Sequence, residues 1–86
     1  MMKYKKLFDS IDQASTALLQ AKEGQGNELL SQVFDELLTL SSTFNQETLH
    51  VLVQLIEIMH DAQQRRDYVY LVDILQYELP KHISLT

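Results

Sequence analysis

The chain has 86 residues, 45% of them hydrophobic and 22% charged, the make-up of one ordinary globular domain with no room for a second core. It contains no cysteine, which excludes disulfides, thiolate metal sites and cysteine nucleophiles. The formal net charge of -5 repels phosphate backbones, and the basic clusters (Lys3, Lys5 and Lys6, then Arg65 and Arg66) are too short to form a nucleic-acid interface.

Hydrophobic periodicity predicts four helices, at residues 4–22, 28–40, 46–64 and 68–79, and hence an all-α, compact antiparallel bundle of three or four helices. In the first segment Leu7, Ile11, Ala14, Leu18 and Ala21 step by four and three along one face. The stretch Glu23-Gly24-Gln25-Gly26-Asn27 is expected to end it. A glycine there would supply the left-handed cap, and Asn27 would open the next helix. Leu30, Val33, Phe34, Leu37 and Leu38 make the face of the second segment. Ser41-Ser42-Thr43-Phe44-Asn45 interrupts the pattern. Thr43 with Gln46 reads as a capping box, and Asn45 competes as the cap.

The third segment is the most apolar. Leu49, Leu52, Val53, Ile56 and Met59 share one side, which Val51, Leu55 and Ile58 widen, predicting a central helix. The break at Gln63-Gln64-Arg65-Arg66 is the weakest; without it, the third and fourth segments would be one helix. Asp67 can cap the fourth segment, whose core face is Tyr68, Leu71, Val72, Leu75 and Leu79. Pro80 is expected to stop it and leave a short, loose tail from Lys81 to Thr86.

Two patterns are site-like. The first is a repeated Glu-x-x-His, Glu47 with His50 and Glu57 with His60, the spacing that points a carboxylate and an imidazole at one metal ion in di-iron bundles. Both copies lie on one helix, however. His50, Gln54, Glu57 and Asp61 form a stripe facing away from the apolar arc, which is most simply a solvated face unless a symmetric dimer joins two such stripes. His60, at the margin of the arc, is expected to hydrogen-bond a neighbour. The second pattern is an additional apolar stripe on the fourth segment, formed by Tyr70, Ile74 and Tyr77 and divided from the Leu71–Leu75 face by Asp73 and Gln76. Tyrosine pairs a large apolar ring with a polar tip, a mixture favoured at interfaces. The alternatives for this stripe are burial in the centre of the bundle and a small-molecule pocket. Phe8 and Leu19, to one side of the first stripe, are candidates to extend the patch.

Enzymatic chemistry finds little support. The chain has no Gly-x-Ser-x-Gly elbow and no phosphate-binding loop, and adjacent carboxylates such as Asp35 and Glu36 splay apart on a helix. No catalytic residue and no cofactor is expected.

The segment Asp67-Tyr68-Val69-Tyr70-Leu71-Val72-Asp73-Ile74-Leu75-Gln76-Tyr77-Glu78-Leu79-Pro80 resembles a C-terminal segment of small uncharacterised helical proteins of Gram-positive bacteria, with the pattern Asp-Tyr-x-x-Leu-x-Asp-x-Leu-x-Tyr-Glu-Leu. The resemblance covers about a sixth of the chain. It implies a helical fold and a bacterial cytoplasmic setting, and it carries over no catalytic residue. The leading functional expectation is a non-enzymatic helical protein–protein interaction module that self-associates, with a homodimer anchored by Tyr70, Ile74 and Tyr77. A cytoplasmic chaperone or adaptor for a secretion or motility component is the second, and a metal-binding helical dimer the third. Neither nucleic acid nor membrane is expected as a partner: no run approaches 18 apolar residues, and acids interrupt the apolar start that a signal peptide would need.

Overall fold

A computed structural model describes residues 4–83, and among these the regular elements are helical. They are α1 (Lys5–Leu19), α2 (Glu23–Leu40), a 3₁₀ turn (Ser41–Thr43), α3 (Gln46–Gln64), and a C-terminal helix in three parts: α4 (Tyr68–Asp73), a π segment (Ile74–Glu78) and α5 (Leu79–Ile83). Counting the last three as one, the described residues form an all-α bundle of four helices. The Cα radius of gyration is 12.2 Å, against about 12 Å for a compact chain of this length. Lys3 lies outside the described residues.

The first break comes earlier than the glycines predict. α1 ends at Leu19, Ala21 takes the left-handed conformation (φ 60°), and α2 begins at Glu23, so Gly24 and Gly26 lie in its first turns rather than in the loop. Two bonds close the end of α1, Ala21 N–H to Leu18 O (3.1 Å) and Lys22 N–H to Ala17 O (2.9 Å). This is the Schellman pattern, which satisfies the last carbonyls whether or not the left-handed residue is glycine. α2 reaches back because Gly26 lets the two helices touch. A Cβ there would lie 2.6 Å from Leu18 Cδ2 and 2.9 Å from its Cγ. Farther along the antiparallel pair, the Ser10 hydroxyl donates to Glu36 Oε1 (2.6 Å).

The next two turns repeat this logic. Asn45, not Thr43, caps α3: its side chain accepts from Thr48 N–H (2.8 Å), while the Thr43 hydroxyl donates to Leu40 O. Phe44, which the pattern leaves in a polar break, is buried. Its ring lies 5.9 Å from that of Tyr4, which also meets Phe8 edge-on at 6.4 Å. The connector is thereby pinned to the start of α1. Between α3 and α4, Arg66 takes the left-handed conformation (φ 57°), with Arg66 N–H to Gln63 O and Asp67 N–H to Ala62 O forming a second Schellman end. The helices are separate, and the Asp67 carboxylate accepts from Tyr70 N–H (3.3 Å).

Pro80 does not stop the last helix. Lacking an N–H, it cannot bond the carbonyl of Gln76, and its ring crowds that carbonyl. The backbone widens into the π segment just before it, where Leu79 N–H reaches Ile74 O, and α5 then continues to the buried Ile83. Lys81 and His82 therefore belong to a helix rather than a loose tail, while residues 84–86 lie outside the described residues. The core runs through all four helices. Leu7, Ile11, Leu30, Val33, Met59, Leu71, Leu75 and Leu79 are among its most enclosed members.

Backbones approach closely between α1 and α2, between α1 and the C-terminal helix, and between α3 and the C-terminal helix. α2 and α3 keep more distance. α3 is therefore not central: Leu52, Leu55, Met59 and Ala62 are buried, but Val53 and Ile58 are exposed. Among the described residues, no helix is long and apolar enough to cross a membrane.

Candidate protein-docking groove

The candidate residues do not assemble where their spacing suggested. Ile74 is 3% exposed and belongs to the core. It follows Leu71 by three residues, which places it only about 60° round the helix from that core position. Tyr70 and Tyr77 are exposed without it, so the three form no continuous surface stripe. Tyr77 instead shares a shallow depression between α1 and the C-terminal helix with the exposed Leu19 and Val69 and the buried Ser15. Gln76 Nε2 bonds Asp12 Oδ1 (3.1 Å) at the edge of that contact. Phe8 is half-buried against the core and packs on Tyr4, so it does not extend the patch.

Glu47, His50, Glu57 and His60 are all exposed on α3 and do not converge. His50 Nε2 lies 3.3 Å from the Gln54 side-chain amide. The His60 ring stacks on Phe34 (centroids 4.7 Å apart, planes 18° apart), a ring contact in place of the expected hydrogen bond. Among the described residues no group of three or more His, Asp or Glu side chains could hold a metal ion within one chain.

An apolar concavity lies between α2 and α3, which keep more distance than the other neighbouring helices. It encloses about 310 Å³ and is lined on one side by Phe34, Leu37, Leu38 and Ser41, on the other by Leu49, Leu52, Val53 and Ile56. Leu37 and Leu52 form its buried floor. Leu38 and Val53 stand on the two lips, 74% and 55% exposed. The geometry follows from the sequence. α2 carries Leu37 and Leu38 side by side, so one turns to the core and the other about 100° away. α3 is apolar over more than the arc it buries, which leaves Val53 outside. At one end the helices are tied together by the Phe34–His60 stack and by Gln63 Nε2 donating to Asn27 Oδ1 (3.0 Å). At the other, the 3₁₀ turn and Phe44 hold the connector on α1.

The charge around it is one-sided. From Glu23 to Gln64 there are seven Asp and Glu and no Lys or Arg; all seven cations lie outside that span. Among the described residues Arg65 pairs with Asp61 (2.9 Å) and Asp67 (3.6 Å), and Lys5 with Asp9 (2.8 Å). The Asp9 carboxylate, through its hydrogen bond and then its charge, raises the Lys5 ammonium above its ordinary pKa. None of these pairs involves Glu28, Asp35 or Glu57, which are exposed on α2 and α3, with Asp35 in the groove wall. The cation-free middle is visible in the sequence once charge is summed by segment rather than over the whole chain.

Comparison with protein-family models, with curated proteins and with solved structures returns no match.

Proposed function

We propose that this chain is a non-enzymatic helical module that acts by binding another protein, and that the groove between α2 and α3 receives a helix of that partner. One observation carries the reading: two large aliphatic side chains, Leu38 and Val53, face water on opposite lips of a groove whose floor is core. Grooves of this kind bind amphipathic helices through anchors spaced i, i+3 or i+4, and i+7. Four core helices do not need Leu38 or Val53 for folding, so their exposure is free for a partner to cover. The resemblance of residues 67–80 to small Gram-positive helical proteins supports a bacterial cytoplasmic setting for that partner.

The test is a photo-crosslinking residue placed at Leu38 in cells. A discrete covalent adduct of one protein, lost when Val53→Asp is added, is the expected result. If the crosslinker forms no adduct at Leu38, or the same adduct forms with Val53→Asp, the groove is not the binding surface.

Self-association is the second reading, supported by a different face: Leu19, Val69 and Tyr77 (60%, 74% and 70% exposed) surround the depression between α1 and the C-terminal helix. Light scattering on a sizing column reads it directly. A mass near twice 10.0 kDa, returning to 10.0 kDa in Leu19→Ala, Tyr77→Ala, supports this face as a dimer seam. A parent chain already at 10.0 kDa rejects it.

A further inference from the structure

We infer that the helix received by the α2–α3 groove is basic: an amphipathic helix of another protein, with apolar anchors for the groove floor and Lys or Arg on the flanks. The inference rests on the groove being the binding surface and adds the chemistry of the occupant. The groove lining runs from Phe34 to Ser41 on one side and from Leu49 to Ile56 on the other. Each wall is about 10 Å long at 1.5 Å per residue, room for two turns of an inserted helix and three anchors. Around that floor the charge is of one sign. Residues 23–64 carry a formal charge of -7, whereas the remainder of the chain, with all seven cations and five acids, carries +2.

One acid lines the groove, and two more are exposed elsewhere on the same two helices. The lining acid is Asp35; Glu28 lies seven residues earlier on α2 and so on the same stripe, and Glu57 stands on α3 in a separate depression with Arg65 and Tyr70. They are exposed and make none of the ion pairs seen among the described residues. A helix with Lys or Arg flanking its apolar stripe would meet Asp35 on the α2 side and no cation on either wall helix. Acidic or phosphate-bearing partners would be repelled at the same positions. The same charge argues against a second copy. A two-fold contact through this groove sets the cation-free span of one copy against its own image, like charge on like.

The experiment sorts a displayed library of two- to three-turn helices against the full chain. Leucine is fixed at i, i+4 and i+7, and the flanking positions are drawn from Lys, Arg, Glu, Gln and Ser. Enriched helices are expected to carry Lys or Arg at the flanks. As labelled peptides they are expected to bind about tenfold more weakly when NaCl rises from 50 to 500 mM, where screening shortens the reach of charge, and to weaken in the same direction when Glu28→Gln and Asp35→Asn are combined. Enrichment of neutral or acidic flanks, still lost with Leu38→Asp, Val53→Asp, would overturn the charge inference while leaving the groove as the docking surface. Enrichment of no helix, or binding indifferent to Leu38→Asp, Val53→Asp, would overturn both. A dimer of the parent chain that this variant converts to monomer would make a second copy the occupant and overturn the basic-partner inference. The groove variants are read only where circular dichroism matches the parent, with Leu38→Ala, Val53→Ala as the milder pair.

Discussion

Neighbouring glycines in α2 have opposite roles, and the difference is steric. Gly24 and Gly26 both have helical backbones. A Cβ on Gly24 meets nothing within 4 Å, while one on Gly26 collides with Leu18. Gly24→Ala is therefore expected to raise stability by up to about 1 kcal/mol through helix propensity alone. Gly26→Ala is expected to lower it by about 1–2 kcal/mol as overpacking forces α1 and α2 apart. Urea titrations of the two variants should move the midpoint in opposite directions. Ser15 offers a second contrast. It is buried, and its hydroxyl has no hydrogen-bond partner among the described residues. Ser15→Ala removes that group and improves helix propensity, so a gain of about 1 kcal/mol is expected, read as a rise of several degrees in Tm. Neither role shows in the sequence, because a glycine or serine in a helix looks the same whether its neighbour is solvent or a packed leucine.

At the level of the element, helix ends decide the topology. Ala21 and Arg66 both hold a left-handed conformation that costs an L-residue about 1–2 kcal/mol. Ala21→Gly and Arg66→Gly are each expected to gain about 0.5–1 kcal/mol, less than the full strain because glycine adds freedom to the unfolded chain. Asn45→Ala should lose about 1 kcal/mol by freeing the Thr48 N–H, and Thr43→Ala much less, which thermal melts would separate. The sequence shows that a break exists at each of these places. Its position is harder to read, since a Schellman end is defined by backbone bonds and accepts alanine or arginine where glycine is the usual signal. Pro80 illustrates the same limit: its missing donor is plain in the sequence, but whether the chain stops or widens into a π turn depends on Leu79 and Ile83 finding places in the core.

For the whole molecule, the open side between α2 and α3 is the feature on which the proposed function rests. Leu38→Asp with Val53→Asp is expected to change stability by less than about 1 kcal/mol, because both residues keep more than half of their surface in water in the folded chain. Phe44→Ala, by contrast, is expected to cost about 3–5 kcal/mol, a large share of the total stability of so small a domain, because it frees the connector from Tyr4. Denaturant curves of the two variants would show whether the groove is dispensable for folding while the aromatic tie is not. A large loss in the groove variant would mean that Leu38 and Val53 support the fold, and the groove would lose its claim as a free surface.

By itself the sequence determined an all-helical bundle, the four apolar faces, the breaks between them and the acidic, cation-free middle. These are local properties: apolar period sets helix and face, and charge is a sum over residues. Only the tertiary structure decided which apolar residues the core leaves out. The sequence counts Leu38 with the core face of its segment and Ile74 with a separate stripe, and the structure reverses both. Ile74 goes inside because the C-terminal helix is covered by α1 and α3, and Leu38 stays outside because α2 and α3 make few close contacts. Coverage by neighbours depends on how helices pair across the bundle. The period of one helix does not contain that information.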